Sequence, residues 1–148
     1  MFTVDASVWV NAESPTEPGY RDSRGLLDVL FAAGTIVVLP TLLLAELAGV
    51  ISRTRGDSIL ARRMVAAVAT LPQITWVDLD GIGAADAAEL AAAHRLRGAD
   101  AVYAAVARTH GCTLVSLDRE HLTRLGPAVR TITPADALAI LGHPRPQP

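Results

Sequence analysis

Lysine does not occur in this 148-residue chain: all 13 of its basic residues are arginine. The abundance of alanine makes a compositional bias the plain explanation, although arginine also suits two-pronged contacts to phosphate and carboxylate. Cysteine occurs once, at Cys112, which excludes a disulfide framework and a cysteine zinc site. Aromatic residues make up 4% of the chain, so the core must be built from Ala, Val, Leu and Ile, and base-stacking platforms are not expected. Positive charge is not in excess either. The net charge of −2 argues against a simple basic coat for nucleic acid. Neutralising four of the 15 acids with a metal would reverse that balance and leave a mildly basic exterior.

What is present is apolar. Hydrophobic residues make up 51%, enough for a sizeable core in one domain. That domain is expected to cover residues 1–141, with residues 142–148 as a frayed tail. Only MFTV precedes Asp5, without a basic segment, so no secretory leader is expected. A cytoplasmic location is the expectation, and the lone cysteine is compatible with it. Residues 29–52 (VLFAAGTIVVLPTLLLAELAGVIS) are long enough to span a bilayer. Gly34, Pro40 and Glu46 interrupt them, and an unpaired carboxylate in mid-membrane is costly. Helix end, buried strand and new helix describe the segment better, so no membrane association is expected.

The strand candidates are residues 2–4, 35–39, 74–77, 112–116 and 129–132. They are continuous apolar runs, as in a parallel sheet covered on both faces. Helical spacing or composition fills the intervals at 6–11, 20–33, 41–53, 58–71, 84–95, 99–110, 119–125 and 134–141. Pro40 is expected in a helix's first turn, where its missing amide does no harm. Strands alternating with helices predict a three-layer α/β fold. Ligands of such sheets bind beyond the carboxyl ends of the strands.

Four acids stand out against this apolar background. Asp5 ends the first strand, and Asp118 follows CTLVSL. Each can cap the helix after it. Ser7 and Ser116 lie two residues from them in mirrored order, as Asp-x-Ser and Ser-x-Asp. Asp100 opens the apolar run AVYAAVA, close to Arg95, Arg97 and Gly98. Glu46 is harder to explain structurally, because its helical neighbours Leu42, Leu43, Gly49 and Val50 offer no polar partner. Only Arg53 lies at the edge of its reach. A buried charge needs a partner, and several carboxylates meeting at one sheet edge would need a cation. Oxygen ligands of this kind suit Mg²⁺ or Mn²⁺.

The order Asp…Glu…Asp…Asp, carried by MFTVDASVWV, LLLAELAGV, RGADAVYAAVA and TLVSLDREH, resembles the PIN domain over nearly the whole chain. More narrowly it resembles the VapC toxins of bacterial toxin–antitoxin pairs. The resemblance implies a Rossmann-like three-layer α/β/α fold with a five-stranded parallel sheet in order 3-2-1-4-5. It implies a Mg²⁺- or Mn²⁺-dependent endoribonuclease acting on single-stranded or loop RNA, a homodimer, and inhibition by a VapB-type antitoxin. By position, Asp5, Glu46, Asp100 and Asp118 would form the catalytic and metal-binding tetrad, with Ser7 and Ser116 in support.

Arg53, Arg55, Arg62 and Arg63 surround one helix–helix turn, either as a solvated face or as contacts to RNA phosphates or an acidic antitoxin segment. Arg95 and Arg97, beside Asp100, are better placed for substrate. His94, His110, His121 and His143 lack metal-ligand spacing and are expected at the surface or at helix ends. Trp9 and Trp76 are expected in the core or at a dimer contact, and the acids from Asp78 to Glu89 in solvent. Two rival readings stay open: a non-catalytic binding module of the same fold, and a metal phosphohydrolase acting on DNA or small phosphate esters.

Overall fold

The computed structural model describes residues 1–142; His143 and the rest of the tail lie outside the described residues. Five parallel strands form one sheet: β1 (Phe2–Val4), β2 (Val37–Pro40), β3 (Ile74–Val77), β4 (Thr113–Val115) and β5 (Thr131–Ile132). Their spatial order is β3-β2-β1-β4-β5. Phe2 pairs with Val37 on one side and Thr113 on the other, so β1 is the central strand.

Helices α1 (Ala6–Asn11) and α2 (Tyr20–Ala32) connect β1 to β2. Helices α3 (Leu42–Arg55) and α4 (Ser58–Ala69) connect β2 to β3. The chain then reverses direction across the sheet through α5 (Gly81–His94) and α6 (Gly98–Thr109), and re-enters at β4. Parallel crossovers are right-handed, so this reversal puts α5 and α6 on the face opposite α1–α4. Helices α7 (Arg119–Arg124) and α8 (Pro134–Ile140) follow β4 and β5, and α8 packs against α2.

The core is aliphatic, as the scarcity of aromatics requires. Val4, Leu39, Leu114 and Val115 fill the sheet, and Leu26, Leu30, Leu43 and Leu90 pack onto it from the helices. Helix α6 is buried at every position from Ala101 to Ala107, because it lies over β2, β1 and β4. Trp9 is a core residue whose ring meets Phe31 at 5.8 Å. Trp76 is half-buried on β3. Among the described residues no helix is long and apolar enough to cross a membrane.

Pro40 departs from its expected place. It is the last residue of β2 and pairs with Val77, rather than opening α3. The amides of Val37 and Thr41 both donate toward β3, to the carbonyls of Gln73 and Val77 at 3.0 Å. Strand alternation therefore turns the nitrogen of residue 40 toward β1. By the Phe2–Val37 register that nitrogen faces the carbonyl of Val4, the last residue of β1, so the missing amide ends the β1–β2 ladder there and interrupts nothing beyond it.

Candidate active site

The sheet's direction of growth reverses between β1 and β4, and their carboxyl ends lie side by side. The Asp5 amide donates to the Val115 carbonyl at 3.0 Å. The helices of a parallel sheet run back against the strands, so α1, α3, α6 and α7 all begin at this edge. Helix N-termini favour negative charge.

Asp5 leaves β1 and caps α1, and is almost fully buried at 5% exposure. Its Oδ2 accepts from Ser7 Oγ at 2.5 Å and from Ser116 Oγ at 3.1 Å. Ser7 Oγ in turn accepts the Leu117 amide at 3.1 Å. Asp118 caps α7, where its Oδ1 accepts the Glu120 amide at 2.6 Å. Its own amide donates to Ser116 Oγ at 2.9 Å. The two serines thus stitch the ends of β1 and β4 together. The capping and clustering readings of Asp5 and Asp118 are compatible, because one carboxylate does both.

Glu46 comes from the second turn of α3. Its own helix supplies no partner, and Arg53 makes no bond to it; the Arg53 guanidinium lies instead beside Gly49. The partner is Tyr103 of α6, whose hydroxyl donates to Glu46 Oε2 at 2.5 Å. Tyr103 is fully buried, and burial together with the Glu46 charge pushes its hydroxyl well above the ordinary phenol range. Burial raises the Glu46 carboxyl above its usual range. The Tyr103 bond opposes that rise, and the charges of Asp5 and Asp100 add to it.

Asp100 lies in the first turn of α6. Its carboxyl is also raised, first by burial and then by Asp118 and Asp5, with His121 and, less strongly, Arg97 pulling the other way. Its Oδ2 is buried without a hydrogen-bond partner. Asp100 thus lies within electrostatic reach of Asp5, Glu46 and Asp118 at one rim of the sheet.

Among the described residues no three His, Cys, Asp or Glu side chains form a ready-made metal cage. The geometry says why: Asp5, Glu46 and Asp118 are each turned toward a donor from the chain itself. The unpartnered Asp100 oxygen, the like charges around it and the all-oxygen donor set nevertheless fit a hard divalent cation. Asp5, Glu46, Asp100 and Asp118 could hold it.

Two residues of this site escape sequence reasoning. Tyr103 reads as one more apolar position in AVYAAVA. Its only signal is that Tyr is the one residue of that run with a hydroxyl to place. His121 corrects the expectation of a surface histidine. It is fully buried, with Nδ1 2.9 Å from Ser116 Oγ and Nε2 3.0 Å from the Asp100 carbonyl. The other described histidines keep to helix ends: His94 is half-buried with Nδ1 on the Arg124 carbonyl, and His110 is exposed.

A cavity of about 1000 Å³ opens beside the site, lined by Ser7, Asn11, Glu46, Gly49, Arg53 and Arg55 among others. Arg55 is fixed there by a 2.8 Å bond to the Glu13 carbonyl. Arg62 and Arg63 are exposed on α4 and do not line this cavity. Arg97 precedes α6 within electrostatic reach of Asp100. The exposed Arg95 ends α5 in the left-handed region at φ 56°, its carbonyl accepting from Arg124.

A parallel three-layer sheet with an acidic rim at its switch point defines a Rossmann-like class of fold. The PIN domain family pattern matches residues 2–126, and the chain belongs to that family. Among solved structures, PAE2754 of Pyrobaculum aerophilum is similar with a TM-score of 0.68 and 20% identity, covering 95% of this chain and 88% of that one. FitAcB of Neisseria gonorrhoeae is similar with a TM-score of 0.66 and 22% identity, covering 90% and 98%. VapC20 of Mycobacterium tuberculosis, described as a toxin cleaving the sarcin-ricin loop, has a TM-score of 0.66 and 18% identity, covering 80% and 90%. No curated protein matches the chain.

Proposed function

We propose that the protein is a Mg²⁺- or Mn²⁺-dependent endoribonuclease that hydrolyses phosphodiester bonds in single-stranded or loop RNA. The observation that carries this reading is the convergence of four acids, remote in sequence, around the unpartnered Asp100 oxygen. A bound cation would activate a water and offset charge on the phosphoryl group. Asp5 and Asp100 would be its principal holders, with Asp118 beside them. Glu46, fixed by Tyr103, would orient the attacking water and take its proton. Water attack leaves 5′-phosphate and 3′-hydroxyl ends.

Arg53 and Arg55, in the adjoining cavity, and Arg95 and Arg97, before α6, are the proposed contacts for RNA phosphates or for an antitoxin segment. The solved relatives include toxin–antitoxin complexes from Klebsiella pneumoniae and Salmonella typhimurium. They support the reading of this chain as the toxin of such a pair; a cytoplasmic location and a homodimer are further parts of the proposal. The test is cleavage of single-stranded RNA, single-stranded DNA and a phosphomonoester with Mg²⁺, Mn²⁺ or EDTA, with the cleaved ends mapped. RNA cleavage that EDTA abolishes is expected. Full cleavage by Asp5→Asn or Asp100→Asn protein would remove the assignment.

A further inference from the structure

His121 is buried between two of the acids, and its hydrogen-bond bookkeeping is closed. The Asp100 carbonyl can only accept, so His121 Nε2 must carry the hydrogen of that 3.0 Å contact. In the singly protonated ring Nδ1 is then a bare acceptor, and it faces Ser116 Oγ at 2.9 Å. Ser116 has one hydrogen to give. Asp5 Oδ2 at 3.1 Å and His121 Nδ1 compete for it, while the Asp118 amide occupies a lone pair of the same oxygen.

We propose that His121 is a positioning residue of the carboxylate site: its Nδ1 provides an alternative acceptor for the Ser116 hydrogen, which leaves one lone pair of Asp5 Oδ2 open to a divalent cation while Ser7 Oγ keeps the other. This rests on the metal-dependent reading above. Ser116 is fully buried, so its hydroxyl has no water to turn to when a cation takes the Asp5 oxygen. Without His121 it would be left unsatisfied, a penalty charged against cation binding. The Nε2–H bond to Asp100 keeps the ring in the tautomer that makes Nδ1 an acceptor. Outer groups that orient ligands in this way typically change metal affinity by roughly 10–100-fold.

The two ring nitrogens can be separated by substitution. In His121→Asn the side-chain oxygen stands near the Nδ1 position and keeps an acceptor for Ser116, while the reach to Asp100 is lost. In His121→Gln the amide reaches the Nε2 position and keeps the Asp100 bond, while the acceptor is lost. His121→Phe keeps the volume and loses both. Mn²⁺ affinity of the RNA-free protein, read by calorimetry or by electron paramagnetic resonance of free Mn²⁺, is the measurement. Circular dichroism establishes that each variant is folded at the working temperature.

The Asn variant is expected to bind Mn²⁺ within about threefold of wild type, and the Gln and Phe variants to bind at least about tenfold more weakly. A Phe variant with wild-type affinity overturns the proposal, and so does a Gln variant that binds as well as Asn or better. If Phe does not fold, the Asn–Gln comparison still decides. Asp5→Asn protein is measured alongside: if wild type binds Mn²⁺ no better than it does, the metal site itself is wrong and the proposal falls with it.

Discussion

The molecule has two acidic regions that look alike in composition and differ in everything else. One is the rim formed by Asp5, Glu46, Asp100 and Asp118. The other is the stretch from Asp78 to Glu89, at and inside the start of α5. In the second, Asp80 caps α5 by accepting the Gly83 amide at 2.8 Å. Asp86 is paired with Arg108, and Glu89 lies 4.0 Å from the same arginine. Asp78 and Asp80 are exposed. At the rim the charges come from four separate segments and are at least partly buried; Asp5, Glu46 and Asp118 have neutral donors rather than arginine as their hydrogen-bond partners, and Asp100 Oδ2 has none. Local acid density therefore carries little information. What distinguishes the rim is charge withdrawn from water without a basic partner bonded to it.

Neutralising substitutions break this comparison most sharply. Asp5→Asn or Asp100→Asn is expected to reduce RNA cleavage by more than about a hundredfold, beyond the usual effect of merely orienting groups. Asp78→Asn is expected to leave the cleavage rate within about twofold. Gel-based cleavage rates at saturating Mn²⁺ separate the two regions, and equal losses in both would erase the distinction.

Tyr103→Phe removes the donor to Glu46 and little else. Cleavage is expected to fall by about tenfold, the scale of a lost orienting contact, while the fold is kept. A rate equal to wild type would show that Glu46 needs no anchor.

The rim should also leave its mark on how stability depends on pH. Burial raises the carboxyls of Glu46 and Asp100 above their ordinary values of 4.5 and 3.8. The folded protein therefore holds more protons than the unfolded chain between those values and the raised ones. The slope is negative: these two groups make the metal-free protein less stable as pH rises through that window. Glu46→Gln and Asp100→Asn are expected to raise the melting temperature in EDTA at neutral pH, with less gain at pH 4. Calorimetric scans at the two pH values check this, and a destabilised Asp100→Asn protein would contradict it. Asp80→Ala is the mildest case, costing about 1 kcal/mol of stability through its lost cap with cleavage unchanged, measured by urea denaturation.

Much of this was legible along the chain, for physical reasons. Strands buried on both faces leave continuous apolar runs, and the four acids interrupt or bound such runs, so both the parallel sheet and the acids show in one dimension. Pro40 was misplaced by one element, because a proline closing a strand and a proline opening a helix look the same locally. Tyr103 and His121 were missed for a deeper reason. Their meaning lies in partners 57 and 21 residues away, Glu46 and the Asp100 carbonyl, and no periodicity encodes such a pairing. The absence of a partner for Glu46 on its own helix was the one readable half of that contact.

The serines that grip Asp5 have a consequence for assembly. Because Asp5, Glu46 and Asp118 already receive donors from the polypeptide, the architecture can close before any ion arrives. On the proposed metal-dependent reading, folding and arming would be separate events: a newly made chain would take its final shape in a chelated solution and acquire its chemistry afterwards, from whatever free divalent ion its surroundings supply.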